Sequence, residues 1–202
     1  MIRTVTEGDT VTLTIDRTDK ANSLTAAMLS DLADGVRAAV DARLLILTGT
    51  GPRVFSAGAD LDEAPRGLAV SPLWEELSGA IAACPGLTVA ALNGTLAGGA
   101  FGMALACDIR LCVPGASFFY PVAKLGFLPQ PSDPLRLTRL IGPARAKLVL
   151  AGGVRLDAEE ALRFGLIDRI VDDPLAAARD LAPGSCDHIA AIKAMIPDVP
   201  RR

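Results

Sequence analysis

Thr88-Val89-Ala90-Ala91-Leu92-Asn93-Gly94-Thr95-Leu96-Ala97-Gly98-Gly99-Ala100-Phe101-Gly102-Met103-Ala104-Leu105-Ala106-Cys107 is the stretch that decides the architecture of this chain. Thr88 to Leu92 is a short apolar run closed by the turn Asn93-Gly94, and its length and flanks mark a buried strand. Gly98-Gly99 then falls at or near the N-terminus of a helix running to about Cys107. Outward from here the same alternation repeats. Leu44 to Leu47 is a buried strand closed by Thr48-Gly49-Thr50-Gly51-Pro52, and Ile109 to Val113 is another, closed by Pro114-Gly115. The N-terminal residues alternate like a strand, most clearly from Thr10 to Ile15. Leu24, Met28, Leu32, Val36 and Val40 recur every fourth residue, as on one face of an amphipathic helix ending near Ala42. Short buried strands alternating with helices predict α/β layers joined by right-handed crossovers.

Past Gly126 the pattern turns helical. Pro143 opens a helix after Gly142, where its missing N–H costs nothing. Asp157 and Glu160 make a capping box before Ala161-Leu162, Gly165 stops that helix, and Leu166 to Val171 is a last short strand or buried connection. No internal repeat or low-complexity linker divides the chain, and Pro197 to Arg202 read as a frayed tail.

The composition narrows the function. At 202 residues, one domain or slightly more, a chain buries about 70% of its unfolded surface. Only 4% of residues are aromatic, so Ala, Leu and Val must build the core. Twenty basic against 23 acidic residues, without runs of one sign, argue against a nucleic-acid partner. A single histidine, His188, excludes multi-histidine metal sites and lies in a C-terminal helical segment. Cys84, Cys107, Cys112 and Cys186 form no CxxC pair, which fits buried thiols in a reduced cytoplasmic protein, with no metal expected. The N-terminus lacks a signal-peptide profile. Leu77 to Cys107 carries no charge and exceeds the ~20 residues of a membrane helix. Pro85, Asn93 and the glycines at 94, 98, 99 and 102 interrupt it, so it is expected to be a buried helix, strand and helix, with no membrane partner.

Several familiar motifs nearly form. Val54 stands where a nucleophile elbow needs glycine, and Gly49-Thr50-Gly51 lacks the third glycine of a dinucleotide loop. Two glycine-rich segments remain, Phe55-Ser56-Ala57-Gly58-Ala59-Asp60-Leu61 and the Asn93 to Gly102 turn. A helix start offers unpaired N–H groups and the positive dipole end, which suit a developing anion. Glycine there lets a ligand approach the backbone. A second N–H from the Gly58-Ala59 turn completes a two-donor oxyanion hole. The bland alternative is two tight turns packed for structural reasons.

Taken together, Asn22-Ser23-Leu24, the Phe55 to Leu61 block, Asn93-Gly94 through Gly98-Gly99 to Asp108, Gly142-Pro143-Ala144, Glu160-Ala161 and Gly165-Leu166-Ile167 resemble the crotonase superfamily of enoyl-CoA hydratases and isomerases. The resemblance implies an α/β fold, the crotonase-type spiral of stacked ββα units in one domain, with the spiral core over about 1–171 and a short helical tail over about 172–202. It implies that the N–H groups of Ala59 and Gly99 hold a thioester enolate. It also implies that the backbone around Ala57, Ala59 and Leu61 lies against the adenine and pantetheine of coenzyme A. No cofactor is implied beyond that coenzyme A, or phosphopantetheine, moiety of the substrate.

The departures from the family bear on the reaction. The positions of the two family glutamates are Gly102 and Val122, and Gln130 stands where some isomerases carry aspartate. Hydration needs a base for water and an acid for the α-carbon, so ordinary hydratase chemistry lacks its catalysts. Decarboxylation of a malonyl-type thioester gives the enolate without a base. The Gly98 to Phe101 and Pro121-Val122 segments resemble crotonase-type methylmalonyl-CoA decarboxylases, with Tyr120 or Gln130 left to orient the carboxylate. Two alternatives stand beside this. One is a non-catalytic acyl-CoA-binding or accessory protein; the other is a hydratase or isomerase with a relocated acid such as Asp62, Glu63 or Asp133. Family members continue beyond the lysine resembling Lys193 in helices that build the trimer and part of the pocket. A chain ending at Arg202 therefore leaves the homotrimer in doubt, and the thioester carrier can be coenzyme A or an acyl-carrier protein.

Overall fold

The computed structural model describes residues 1–196; the tail expected to fray, Pro197 to Arg202, lies outside the described residues. Gly8, at a φ of +62°, splits the N-terminal alternation into a hairpin of β1 (Ile2–Glu7) and β2 (Thr10–Ile15). Helix α1 (Ala26–Ala38) is shorter than the spacing from Leu24 to Ala42 predicts, because Thr25 caps it by accepting from the Met28 N–H. Leu24 is drawn into a bridge with Ala59, and Val40 is 53% exposed. A strict spacing of four drifts by about 40° per step on a helix of 3.6 residues per turn, which carries the ends of that series off the buried face.

Three passes of one motif follow. In each, a strand of a large sheet leads to a strand of a small sheet and then to a helix. The passes are β3 (Leu44–Gly49), β4 (Val54–Ser56) and α2 (Leu73–Ala82); β5 (Leu87–Leu92), β6 (Thr95–Ala97) and α3 (Phe101–Ala106); and β7 (Ile109–Cys112), β8 (Ser117–Phe119) and α4 (Val122–Leu125). The chain continues through α5 (Asp133–Ile141), α6 (Pro143–Leu150), β9 (Leu156–Asp157), α7 (Ala158–Phe164), β10 (Arg169–Ile170), α8 (Pro174–Arg179) and α9 (Cys186–Met195). The large sheet runs β1-β2-β3-β5-β7-β10 and is parallel except for the first hairpin; the small one runs β4-β6-β8-β9. This is the expected spiral of ββα units. The capping box at Asp157 and Glu160, and the Gly165 stop, form as predicted.

The central strands are covered on both faces, which explains their unbroken apolar runs. Leu45, Leu47, Ala90 and Leu92 face the main core. Leu44, Ile46, Val89, Ala91 and Leu111 face the other side, where α8, α9 and the segment between them bring Ala178, Ile189 and Ala182. The uncharged stretch from Leu77 to Cys107 is thus a buried helix, strand and helix, and among the described residues no helix is long and apolar enough to cross a membrane. Lys193 fastens α9 to the sheet edge, with its Nζ 2.7 Å from Asp108 Oδ2 and donating to the Cys84 and Gly86 carbonyls at 2.8 Å. Arg110, 3% exposed, ties β7 to the last strand by donating to the Leu166 and Cys107 carbonyls and to Asp168.

Candidate active site

The two glycine turns meet at the ends of the small-sheet strands. The first is held from below by Asn22, whose amide donates to the Thr50 and Val54 carbonyls at 2.9 and 2.8 Å. Ser56 Oγ donates to the Asn22 carbonyl and accepts from the Gly58 N–H. Asp60, almost fully buried, accepts from Arg17 at 2.6 Å and from the Asp62 and Glu63 N–H groups. The Arg17 guanidinium holds the Asp60 carboxyl below its ordinary range against the opposing effect of burial. Leu24 N–H donates to the Gly58 carbonyl and Asp60 N–H to the Leu24 carbonyl, both at 2.8 Å. Amides alternate sides along an extended segment, so the Ala59 N–H between them points away from Leu24.

The second turn needs its glycines for contact. A Cβ on Gly94 would lie 2.1 Å from the Arg53 carbonyl carbon, and Gly98 adopts a φ of +58° before a 3₁₀ turn that leads into α3. The turns touch each other: a Cβ on Gly58, itself at φ +90°, would sit 3.2 Å from the Gly99 nitrogen and 3.0 Å from the Ala97 carbonyl. Trp74, on α2, lies flat against Gly99, 3.1 Å from where a Cβ would be, and its Nε1 donates to the Leu68 carbonyl.

Ala57, Ala59, Leu61, Gly98 and Gly99 form one wall of a pocket of about 150 Å³. The opposite wall is Tyr120, Pro121, Val122, Leu125, Phe127 and Leu128, with Trp74, Ala69 and Gln130 between. Tyr120 stacks on Phe101 at a ring separation of 5.3 Å and donates its hydroxyl proton to Asp133 Oδ2 at 2.9 Å. Gln130 offers its backbone N–H to the Tyr120 oxygen at 3.4 Å, and its side-chain amide donates to the Ala69 carbonyl. Burial pushes the Asp133 carboxyl up to about 7 against the hydrogen bond from Tyr120, and burial with the Asp133 charge raises the tyrosine. A more open groove near Thr18, Asn22, Arg53 and Thr95 has its buried amide, Asn22, fully engaged.

A model of the enoyl-CoA hydratase/isomerase family matches residues 6–197. The chain belongs to the enoyl-CoA hydratase/isomerase family. Similar curated relatives are the carnitinyl-CoA dehydratases of Citrobacter koseri, 39% identical over 189 residues, and of Salmonella enteritidis, 38% identical; each match covers 87% of this chain and 70% of the relative. Among solved structures, Pseudomonas aeruginosa DspI superposes with a TM-score of 0.87 at 32% identity, covering 96% of this chain and 85% of that one. An enoyl-CoA hydratase from Bacillus anthracis gives 0.79 at 30%, covering 98% and 78%.

Within this enoyl-CoA hydratase/isomerase fold, the structure gathers Ala57, Ala59, Leu61, Gly99, Tyr120, Val122 and Gln130 around one pocket. Gly102 stands apart: it is buried in α3 and faces Asp133, whose Oδ1 is 3.0 Å from where a Gly102 Cβ would be. Of the three acids considered as relocated catalysts, Glu63 accepts from the Ala26 N–H at the start of α1, and exposed Asp62 lies 4.0 Å from Lys20. Asp133 alone of the three stands behind the pocket. His188 is exposed on α9, and burial raises the Cys107 and Cys112 thiols to about 12. Trp74, Leu125, Phe127 and Leu128 were not among the sequence candidates. The only signal for Trp74 was that it is the chain's single tryptophan, in a helix preceding the Gly98-Gly99 turn.

Proposed function

We propose that the N–H groups of Ala59 and Gly99 form an oxyanion hole that holds the enolate of a short acyl thioester, carried by coenzyme A or by the phosphopantetheine arm of a carrier protein. The observation that carries this reading is the contact between the two glycine turns. Ala59 and Gly99 line the same pocket, and a Cβ at Gly58 would crowd the contact between their turns, which supports this reading. Donors fixed before the reaction stabilise charge without reorganisation, typically by ~2.7–4 kcal/mol per donor. At about 150 Å³ the pocket lies below the usual range for a drug-sized ligand, which favours an acyl group of a few carbons. The backbone of Ala57, Ala59 and Leu61 would run beside the pantetheine and adenine, which project past Leu61 at the exposed rim.

The reaction best matched to this wall is loss of carbon dioxide from a malonyl-type thioester. The C–C bond to the carboxylate breaks, its electron pair becomes the enolate, and the α-carbon then takes up a proton. No base is needed for the first step. Val122 puts an apolar side chain on the pocket lining, where a carboxylate would repel an anionic acyl group, and Tyr120 and Gln130 supply neutral polar groups to orient it. A second reading is elimination or addition of water using one relocated acid, as the carnitinyl-CoA dehydratase relatives suggest, and the buried Asp133 favours it. The test is a mass-spectrometric screen with malonyl-, methylmalonyl-, crotonyl- and saturated acyl-CoAs. Carbon dioxide loss from the first two with slow hydration of crotonyl-CoA supports the decarboxylase. Efficient hydration supports the second reading, and four unchanged thioesters would leave an acyl-CoA-binding or accessory role.

A further inference from the structure

Asp133 is the acid that the enolate reading leaves without a task. It opens α5, yet its side chain turns inward, fully buried, and accepts the Tyr120 hydroxyl on Oδ2. Its Oδ1 has no hydrogen-bond partner among the described residues and is aimed at Gly102. A buried carboxylate oxygen left unpaired is costly, and such groups persist where they serve a function. The space it points into exists because residue 102 has no side chain. Glycine inside a helix costs about 1 kcal/mol relative to alanine, and here it leaves room for the carboxyl, which a Cβ at 3.0 Å would crowd.

We propose that Tyr120 delivers the proton to the α-carbon of the thioester enolate, and that Asp133 behind it is the positioning residue that resupplies that proton, the pair standing in for the carboxylate absent at Gly102. This rests on the enolate reading above. With Asp133 ionised, the tyrosine proton is committed to Oδ2. With Asp133 protonated on Oδ2, the same 2.9 Å hydrogen bond reverses: the acid donates to the tyrosine oxygen, which also faces the Gln130 N–H, and the phenol proton is released toward the pocket. The enolate carbon then forms its C–H bond as the tyrosine O–H breaks, and the Oδ2 proton passes to the tyrosine oxygen. The negative charge ends on Asp133, which regains a proton from water after the product leaves.

The charged groups around the pair fit this cycle. Arg136, on the same helix, eases ionisation of Asp133, while Glu75, on α2 and bonded to Ser132, opposes it. Helix α3, packed against α5, carries no titratable side chain, and the Arg145 and Lys147 side chains of α6 are exposed. Because the carboxyl titrates at about 7, proton delivery should weaken as pH rises through neutrality.

The test is methylmalonyl-CoA turnover in deuterium oxide, reading both the kcat–pH profile and the configuration of the α-deuterium in the propionyl-CoA product. The wild type is expected to lose rate above a pH near 7 and to give one configuration. Asp133→Asn is expected to slow turnover by about 10²-fold or more, to lack that pH limb, and to give a mixture. Tyr120→Phe, which keeps the ring on Phe101, should do the same, and the double variant should be no slower than either single one. If the wild type releases no carbon dioxide, the decarboxylation reading fails and takes this proposal with it. If the wild type turns over but either variant keeps the pH limb or the single configuration, the proton comes from elsewhere; the proposal is then overturned while the enolate reading stands.

Discussion

Replacing Asp133 by Asn tests the buried carboxyl through stability alone, independently of any substrate. The ordinary carboxyl value of 3.8 applies to the unfolded chain, and burial raises the folded-state value to about 7. Between these values the folded protein binds the proton more tightly than the unfolded one. Its contribution to stability is therefore complete below about 4 and is lost as pH rises through about 7. A tenfold difference in proton affinity between the two states is worth roughly 1.36 kcal/mol, so the wild type should lose about 2 to 3 kcal/mol from this group between roughly pH 5 and 8. Asn accepts the same Tyr120 hydrogen bond and does not titrate, so the remaining ionisable groups cancel in the comparison. Urea unfolding of both proteins at several pH values gives the difference directly. Whatever the offset at low pH from packing the amide, the variant should gain on the wild type by that amount toward pH 8. Parallel stability curves would show that Asp133 titrates as an ordinary carboxylate, and the account of its burial would be wrong.

The proposed oxyanion hole predicts that Gly58→Ala, which places a Cβ 3.0 Å from the Ala97 carbonyl at a φ of +90°, lowers kcat on any accepted thioester by roughly 10²-fold or more. Gly99→Pro, which deletes the second donor, should do the same, and circular dichroism separates this loss from damage to α3. Arg110→Met should lower stability by about 3 to 5 kcal/mol, because the Leu166 and Cys107 carbonyls lose a buried donor and Asp168 its cation. Thermal melts check this, and a loss under about 1 kcal/mol would mean water replaces the guanidinium.

The catalytic reading depends on where the spiral sets its turns. Each pass ends a small-sheet strand beside its predecessor, so β4 and β6, paired in parallel, deliver their glycine turns side by side. The following pass, through β8, brings Tyr120 and Val122 to the facing wall, and α5 closes the back with Asp133. The proposed oxyanion hole would draw its two donors from residues 59 and 99, about forty positions apart, on turns that follow paired strands. On that proposal, preorganisation of the donors follows from strand pairing, not from the turns themselves.

The layers and one wall of the pocket were legible in the chain alone. The apolar runs at Leu44 to Leu47 and Thr88 to Leu92 read as buried strands by length and flanks, and the glycines at 58, 98 and 99 marked where backbone approaches backbone or ligand. Those are local signals, set by side-chain period and by φ. The ends of α1 were less legible, because a cap at Thr25 and a bridge between Leu24 and Ala59 outweighed the spacing. The sequence offered Asp133 only beside Asp62 and Glu63 as a relocated acid, and what sets it apart from those two is packing in three dimensions. In the chain it opens a helix near a proline, as many solvated acids do, and no periodicity separates it from Asp62 or Glu63. Its burial, its bond to Tyr120 and its unpaired oxygen opposite Gly102 arise from contacts between segments 13 and 31 residues apart. A carboxyl's protonation depends on the water it loses and the charges it meets. Both are fixed by packing across the fold.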